Sequence, residues 1–326
     1  MKQNADMVGS SDPGGILKTP PHMKRVGTSK RNLVIPWILQ LGAMIGIAVL
    51  LYPSAADWFA TRAHNAEVSG YLQEVEKAPA TELVEQRRLA AQYNADIPEG
   101  ILQDPFTRPV TGNQQNSTGA HQNYAEMLQV GDREAIGEFL YPDVGISLPI
   151  YQGTDDAVLK KGVGHVHGSS LPVGGESTRA VLTSHSGLVN ASLFTELFDA
   201  EVGHIFSVSV LGERLHYEVK SLETVLPQQT ESLKVIDGED WITLITCTPI
   251  GVNSHRLLVH AQRVSAPSTD VNDVIAGDGQ KAGIPWWALI FCASSSIVAY
   301  VIFAQRPEKN QGGRHRVNKQ ILKVKQ

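Results

Sequence analysis

Two uncharged apolar stretches near the ends of this 326-residue chain limit what it can fold into. The first runs from Leu33 to Tyr52 and the second from Ile284 to Ala304. Each has about the 20 residues that a helix needs to cross the hydrocarbon core of a bilayer. We therefore predict transmembrane helices at 33–52 and 284–304.

Basic residues flank both stretches on the sides that face the chain ends. Residues 1–32 carry six basic and two acidic groups, and residues 305–326 carry seven and one. Because positive flanks stay in the cytoplasm, both segments are predicted to be cytoplasmic basic tails, with the region between the spans outside the cell. Trp286 and Trp287 stand where interfacial aromatic residues anchor a span, which agrees with this placement.

Each apolar stretch has one alternative interpretation. Small residues at Ser54–Asp57 resemble a cleavage site, so the first stretch could be a signal peptide, although its apolar core is longer than usual for one. The second could be a buried helix, although its length and its basic flank favour a span.

The external region is acidic. The tails contribute +4 and +6 to a total formal charge of −5, which leaves −15 for the region between them. An acidic domain repels a polyanion, so nucleic acid is excluded as a partner.

The external region divides into a helical part and a β-rich part. Residues 53–134 begin with apolar positions at helical spacing, with a break at Ala78-Pro79, and continue into a loop rich in Pro, Gly, Asn and Gln. From 135 to 266 the chain contains many short β-rich runs, with a hairpin turn predicted at Gly212-Glu213. This pattern predicts a mainly β domain, either an antiparallel barrel or a sandwich. Residues 267–283 are predicted to form a linker to the second span.

Cysteine usage points to a free thiol or an intermolecular bridge. The two cysteines are Cys292, inside the second stretch, and Cys247, in the external region, so they cannot pair with each other. A cysteine is nucleophilic only as the thiolate, whose formation a nearby histidine or arginine favours. His185 follows an apolar strand and precedes a turn, and Arg256 begins the strand after the Cys247 loop. An inert buried thiol, a loop histidine and an ion-paired arginine remain open at this point.

The motif "HVHG" holds two further histidines, His165 and His167. Alternating histidines can bind a metal, but no carboxylate or thiol follows at ligand spacing. We therefore expect neither a metal nor another cofactor.

Four signals in order resemble the sortase family. "TLITCTP" and "NSHRLLV" resemble its cysteine signature and downstream arginine, and "VLTSHSGL" resembles its histidine segment. "DPFTRP", beginning at Asp104, resembles the lid of class C, pilus-assembling sortases, and two terminal spans are typical of that class. The chain departs from the family in "TSHSG", where many relatives have glycine before the histidine and arginine after it.

The resemblance implies an eight-stranded sortase-type β-barrel with an N-terminal helical arm, flanked by the two transmembrane helices. It also implies a transpeptidase that cuts an LPxTG-like sorting signal between Thr and Gly and joins it to a pilin lysine. The implied catalytic residues are Cys247 as nucleophile, His185 as acid and base, and Arg256 as oxyanion or peptide binder. The implied lid residues are Asp104, Pro105 and Phe106, with Asp104 paired to Arg256 and Phe106 covering Cys247.

Other functions remain open beside this one. A housekeeping sortase that anchors surface proteins to the cell wall would share the site, but the lid and the second span disfavour it. A papain-type cysteine hydrolase would use a similar Cys/His pair, but the local sequence around the thiol is missing. A binding module with an inert Cys247 is a third interpretation.

Overall fold

The structure is a computed structural model that describes residues 34–97, 102, 104–106, 124–266 and 282–304. The two predicted basic tails and most of the predicted linker lie outside the described residues, as do Leu33 and most of the segment on either side of the lid motif. The boundaries predicted for those regions therefore stay predictions.

Eight strands close into one barrel in the order β1-β2-β3-β4-β7-β8-β6-β5. This confirms the predicted mainly β, eight-stranded sortase-type barrel. Aromatic side chains fill much of its interior, with the rings of Phe139, Phe206 and Tyr217 among those in contact. The strands are β1 Ala135–Tyr141, β2 Ile146–Gln152, β3 Val163–His165, β4 Thr178–Thr183, β5 Ile205–Val210, β6 Glu213–Val225, β7 Asp240–Thr248 and β8 His255–Val264.

The barrel is mixed, whereas the β-rich runs predict a purely antiparallel arrangement. β2 pairs with β3 in parallel, and β4 pairs with β7 in parallel, while the other pairs are antiparallel. A parallel pair needs a crossover connection. Between β2 and β3 the crossover contains a short helix, α3 (Asp156–Leu159), and between β4 and β7 it contains the β5–β6 hairpin. Side chains alternate in the same way in parallel and in antiparallel strands, so the sequence pattern could not reveal which strand pairs are parallel.

Strand directions define two ends of the barrel. β4 and β7 finish at the same end, and β8 begins there, because Cys247 is paired with Arg256. β2 also begins at this end, since it is parallel to β3, which is antiparallel to β4. We call this the Cys247 end. The β5–β6 turn and the start of β1 lie at the opposite end.

Within the described residues, three longer helices accompany the barrel: α1 (Val34–Lys77), α2 (Ala80–Asp96) and α4 (Trp286–Phe303). The break between α1 and α2 falls at Ala78 and Pro79, as predicted. α1 is one continuous helix of 44 residues, so the apolar stretch and the first half of the helical arm form a single element. It follows that α1 links the predicted span to the barrel without a break in the helix, with Pro53 at the junction.

The helical arm packs on the β5–β6 turn, which consists of Leu211 and Gly212, one residue earlier than predicted. Both residues have positive φ, 50° and 79°, as a two-residue turn with the twist of a hairpin requires. The Leu211 N–H donates to the Tyr71 hydroxyl at 2.9 Å, and Arg87 donates to the Leu211 carbonyl at 3.1 Å. Contacts from α1 and α2 therefore supply hydrogen bonds to this strained turn.

α1 and α4 are both long and apolar enough to cross a membrane. They pack side by side, with the Gln40 side chain donating to the Ser295 carbonyl and the Trp37 ring 5.0 Å from the Phe303 ring. Most of their remaining apolar side chains are exposed. Exposed apolar surface of this extent in a folded chain is typical of contact with lipid.

Candidate active site

Cys247 is the second-last residue of β7, and its side chain is buried with 6% exposed. Arg256, the second residue of β8, is directly opposite Cys247 in the antiparallel pairing. Side chains at directly opposed positions point to the same face of a sheet, with Cβ atoms about 4.5–5.5 Å apart. The register therefore places the guanidinium beside the thiol, not merely at the same end of the barrel. Both cysteines are free.

His185 lies beyond the end of β4, on the other side of Cys247. The parallel pairing of β4 with β7 ends at Thr183 and Ile245, and two further residues on each chain lead to His185 and Cys247. Three hydroxyl groups hold these chain ends together. Thr183 donates to the Ile245 carbonyl at 3.0 Å, Thr246 to the Ser184 carbonyl at 3.0 Å, and Ser186 to the Cys247 carbonyl at 2.8 Å.

Arg256 and Asp104 form a bidentate ion pair in which each nitrogen bonds a separate oxygen. Nε of Arg256 donates to Oδ1 at 2.7 Å and Nη2 donates to Oδ2 at 2.8 Å. The side chains are only 8% and 5% exposed. The third nitrogen, Nη1, donates to the carbonyls of Asn253 and His255. The guanidinium is therefore fixed in orientation, with protein acceptors on all three of its nitrogens.

Phe106 lies between the arginine and the histidine. Its ring is 5.1 Å from Cζ of Arg256 and 5.7 Å from the His185 ring. Together with Leu102, it packs against a small apolar cluster on the outside of the barrel that includes Val166, Ile245 and Leu258. That Phe106 covers Cys247 stays a prediction.

The electrostatic balance at the thiol favours the protonated form. Burial raises the pKa of Cys247, the Arg256 charge opposes this, and the Asp104 charge adds to it. Burial alone would lower the pKa of Arg256, but the hydrogen bonds to Asp104 and the nearby negative charges raise it. While Asp104 is bound, the Arg256 guanidinium is paired with a carboxylate, and the Cys247 thiol stays protonated at neutral pH.

The structure thus brings together the predicted catalytic residues, Cys247, His185 and Arg256, with the lid residues Asp104 and Phe106. Pro105 stands between the two lid residues. It adds Asp156, whose Oδ1 lies 3.4 Å from Nε2 of His185. A hydrogen bond from Lys160 lowers the pKa of the Asp156 carboxyl, and His185 lowers it further.

Two other residues near the site were missed in the sequence for different reasons. Ser186 adjoins the histidine, so the motif around His185 could have identified it. Asp156 precedes His185 by 29 residues and carries no local signal, so only the fold could reveal it.

His165, considered above as a metal ligand, is fully buried and has both ring nitrogens engaged. Nδ1 lies 2.7 Å from the Tyr124 hydroxyl, and Nε2 lies 2.8 Å from the Ser170 carbonyl. Burial lowers its pKa to about 4, so the ring is neutral at pH 7. Its contacts connect β3 to the chain that follows the lid motif.

A thiol, an imidazole and a guanidinium in this arrangement suit acyl transfer. A thiolate can attack a carbonyl carbon, an imidazolium can protonate the departing amine, and a guanidinium can stabilise the oxyanion without exchanging a proton. The apolar cluster under Leu102 and Phe106 offers a surface for apolar side chains of a peptide.

The family model described as Sortase domain matches residues 141–264. Among curated proteins, Sortase A of Streptococcus agalactiae serotype III (strain NEM316) is 30% identical over 130 residues, which cover 39% of this chain and 52% of that protein. The match therefore spans about half the length of this relative.

Solved structures resemble a larger part of the chain. In the complex of Streptococcus agalactiae sortase C1 with MTSET, the matched chain is 41% identical with a TM-score of 0.55, and the match covers 61% of this chain and 97% of that one. Sortase C of Streptococcus pneumoniae is 39% identical with a TM-score of 0.55, and here the match covers 61% of this chain and 98% of that one.

Proposed function

This chain belongs to the sortase family of cysteine transpeptidases, and its structural relatives are mostly class C sortases; on this premise we propose that it joins pilin subunits through a thioacyl intermediate on Cys247. The observation that carries the proposal is the placement of Cys247 between His185 and Arg256 at one end of the barrel.

In the first half of the reaction, the Cys247 thiolate attacks the Thr carbonyl of an LPxTG-like sorting signal. The carbonyl oxygen becomes an oxyanion, which Arg256 stabilises once its nitrogens are released from Asp104. The C–N bond to glycine then breaks, and the imidazolium of His185 gives its proton to the departing amine. The products are a thioester on Cys247 and a peptide with a new amino terminus.

In the second half, the amine of a pilin lysine attacks the thioester. His185, now neutral, takes a proton from this amine, and the C–S bond breaks to return the thiolate. The product is an isopeptide bond between two subunits. The sortase C structure from S. pneumoniae is reported to provide insights into pilin substrate specificity, which supports a pilin substrate for this chain.

We propose that the described arrangement is the closed state of the enzyme. The ion pair between Asp104 and Arg256 blocks the guanidinium, and Leu102 and Phe106 occupy the apolar cluster on which a peptide would lie. Opening the lid would free both at once. Because water is excluded from a closed site, the same cover would limit hydrolysis of the thioester.

The membrane placement forms part of the proposal. α1 and α4 cross the cell membrane, both chain ends are cytoplasmic, and the barrel is extracellular. The exposed apolar surface of the two helices supports the spans, and the basic flanks in the sequence support the orientation.

The direct test is to trap the thioacyl intermediate. We expect the full chain, incubated with a peptide that contains the sorting signal, to gain the mass of the peptide up to threonine, with the added mass mapping to Cys247. Adding an amine should release it as an amide. If the mass is absent in both the wild-type chain and a lid-opened variant, the proposed function is wrong.

The anchoring of surface proteins to the cell wall is the second candidate, because one curated relative is a Sortase A. The two functions differ in the amine that attacks the thioester in the second half of the reaction. A pilin lysine that competes better than a cell-wall amine for the same thioester supports pilus assembly, and the reverse order supports anchoring.

Asp156 is predicted to position His185, with a modest effect. Its carboxylate is 70% exposed, and solvent screens such pairs strongly. We expect Asp156→Asn to lower kcat only about two- to fivefold, because solvent screens an exposed ion pair. Lys160→Ala, which removes the other partner of Asp156, is the matched control and should leave kcat unchanged. A loss larger than a hundredfold for Asp156→Asn would contradict a positioning role and indicate a direct one.

A further inference from the structure

α1 runs along the barrel from the Cys247 end to the opposite end. At the Cys247 end, Asp57 accepts a hydrogen bond of 2.7 Å from the N–H of Ser192, which follows His185 in the β4–β5 connection. Asp57 also lines a cleft with the residues that begin β2. Fourteen residues further along α1, or about 21 Å at 1.5 Å per residue, Tyr71 contacts Leu211 at the opposite end. The part of α1 nearest the apolar stretch therefore contacts the Cys247 end.

Aromatic side chains mark the boundary between the apolar helices and the barrel. The Trp58 ring lies 6.2 Å from the Trp287 ring, and its Nε1 donates to the Gly283 carbonyl at 3.2 Å. Phe59 also contacts Trp287, at 5.7 Å. Tryptophan is enriched at the level of lipid headgroups. Since Asp57 adjoins Trp58 and contacts Ser192, the β4–β5 connection lies at this same level.

Two segments beside the catalytic residues have the composition of a lipid-contacting surface. They are residues 186–195 and 248–254, which we call the mouth loops, and neither contains an Asp, Glu, Lys or Arg residue. Three of their aliphatic side chains are exposed: Val189 by 64%, Ile250 by 49% and Val252 by 69%. Ile250 packs against Gly187, so the two loops are neighbours.

From these three observations we infer that the Cys247 end faces the outer leaflet of the bilayer, with the mouth loops in contact with the lipid surface. The inference rests on the membrane placement in the proposed function and adds the orientation of the site. The external region has a formal charge of −15 and is repelled by anionic lipid, so contact with the bilayer is favoured for segments that carry no acidic residue of their own. The mouth loops meet that condition and add apolar area that favours the interface.

This orientation has a consequence for the substrate. α1 is a continuous helix from the apolar stretch to the barrel, so it sets the height of the site above the lipid. A peptide signal held close to the bilayer by an apolar segment of its own reaches the thiol directly. The inferred orientation therefore predicts that the preference of the enzyme between membrane-held and soluble signals depends on the length of α1.

Site-directed spin labels on the full chain in phospholipid vesicles test the orientation. All variants carry Cys247→Ala, so that the native Cys292 in α4 reports whether the helix is in lipid. Adding Cys292→Ser then allows a single label at Val252→Cys in a mouth loop or at Asp132→Cys, an exposed residue at the opposite end. We expect collisions with a water-soluble nickel complex to be at least threefold less frequent at 252 than at 132.

Each outcome of the labelling bears on a different claim. Equal collision rates at 252 and 132, with Cys292 in lipid, overturn the inferred orientation. A Cys292 label exposed to water overturns the membrane placement and the orientation with it. Neither result depends on catalysis, so the proposed transpeptidase reaction is judged separately by the thioacyl adduct.

Lengthening α1 tests the consequence for the substrate. Seven helix-forming residues inserted after Ser54 raise the barrel by about 10 Å and nearly preserve its rotation about the helix axis. We expect cleavage of a soluble peptide to stay within twofold of the original, while cleavage of the same signal fused to an apolar membrane helix falls at least tenfold. The same seven residues inserted after Gly27, in the N-terminal tail, are the control and should change neither rate. Equal cleavage of both substrates by the lengthened chain overturns the inference.

Discussion

Replacing Arg256 with lysine is expected to lower the rate of transpeptidation about 10²- to 10³-fold, the usual effect of removing one oxyanion donor. Lysine keeps the charge but cannot reproduce the planar fork that donates to both oxygens of Asp104 and to two backbone carbonyls. The same substitution should loosen the lid and raise the rate at which iodoacetamide alkylates Cys247. Steady-state assays with peptide and amine measure the first effect, and intact mass measures the second.

Thermal unfolding separates a loss of catalysis from misfolding. A variant that had lost its fold would also lose the closed site, but its thermal unfolding transition would disappear, whereas we expect the transition of Arg256→Lys to persist. Arg214→Lys is the matched control, because Arg214 is also ion-paired, to Glu138, and lies in β6 towards the opposite end. Full transpeptidation by Arg256→Lys would contradict the assignment of the oxyanion role to this residue.

Replacing Asp104 with asparagine is expected to make Cys247 about 10- to 100-fold more reactive towards iodoacetamide at pH 7. The substitution removes a bidentate, charge-assisted pair with Arg256, and a hydrogen bond to a charged group contributes about 1.5–3 kcal/mol. A weaker lid exposes the thiol, which reduces the burial that raises its pKa, and frees the arginine to favour the thiolate.

The pH dependence of alkylation tests the electrostatic part of this prediction. A thiol with a raised pKa is protonated at pH 7 and becomes reactive only as the pH rises through that pKa. The midpoint of the alkylation rate should therefore lie at lower pH in Asp104→Asn than in the wild-type chain. Asp132→Asn, at the opposite end, is the control and should leave the midpoint unchanged.

Phe106→Ala separates the steric effect of the lid on Cys247 from its electrostatic effect. This variant keeps the ion pair between Asp104 and Arg256 but removes the ring that lies between Arg256 and His185. We expect faster alkylation with a smaller change of midpoint than in Asp104→Asn. An unchanged rate would contradict the gating role of the lid, whereas an unchanged midpoint in Asp104→Asn would leave steric cover as its only function.

Much of the site could be predicted because its parts carry local signals. Cys247 and Arg256 lie in two consecutive β-rich runs joined by a short loop, and antiparallel neighbours with a short connection bring their adjoining ends together. The segments around His185 and Asp104 were identified by their resemblance to a family, since nothing in their spacing relates them to Cys247. The bidentate pair between Asp104 and Arg256, implied by that resemblance, is present in the structure.

Other features depend on contacts between distant parts of the chain. The alignment of His185 with Cys247 requires β4 and β7 to be parallel neighbours, with the β5–β6 hairpin inserted between them in sequence. Asp156 reaches His185 only because α3 lies in a crossover beside the end of β4. The β5–β6 turn falls one residue before the predicted position because Leu211 adopts a positive φ, with hydrogen bonds from Tyr71 and Arg87 satisfying its backbone.

By itself the sequence determined the two apolar stretches, the change from helical to β period, the cysteine with no partner in the external region and the residue types of the site. These follow from local composition and periodicity, which act over one turn of helix or a few residues of strand. Only the tertiary structure decided the mixed order of the barrel, the contact of Asp156 with His185, and the end of the barrel that α1 contacts. These features depend on which strands become neighbours and on long-range packing, and they cannot be predicted from the period or the spacing of residues along the chain.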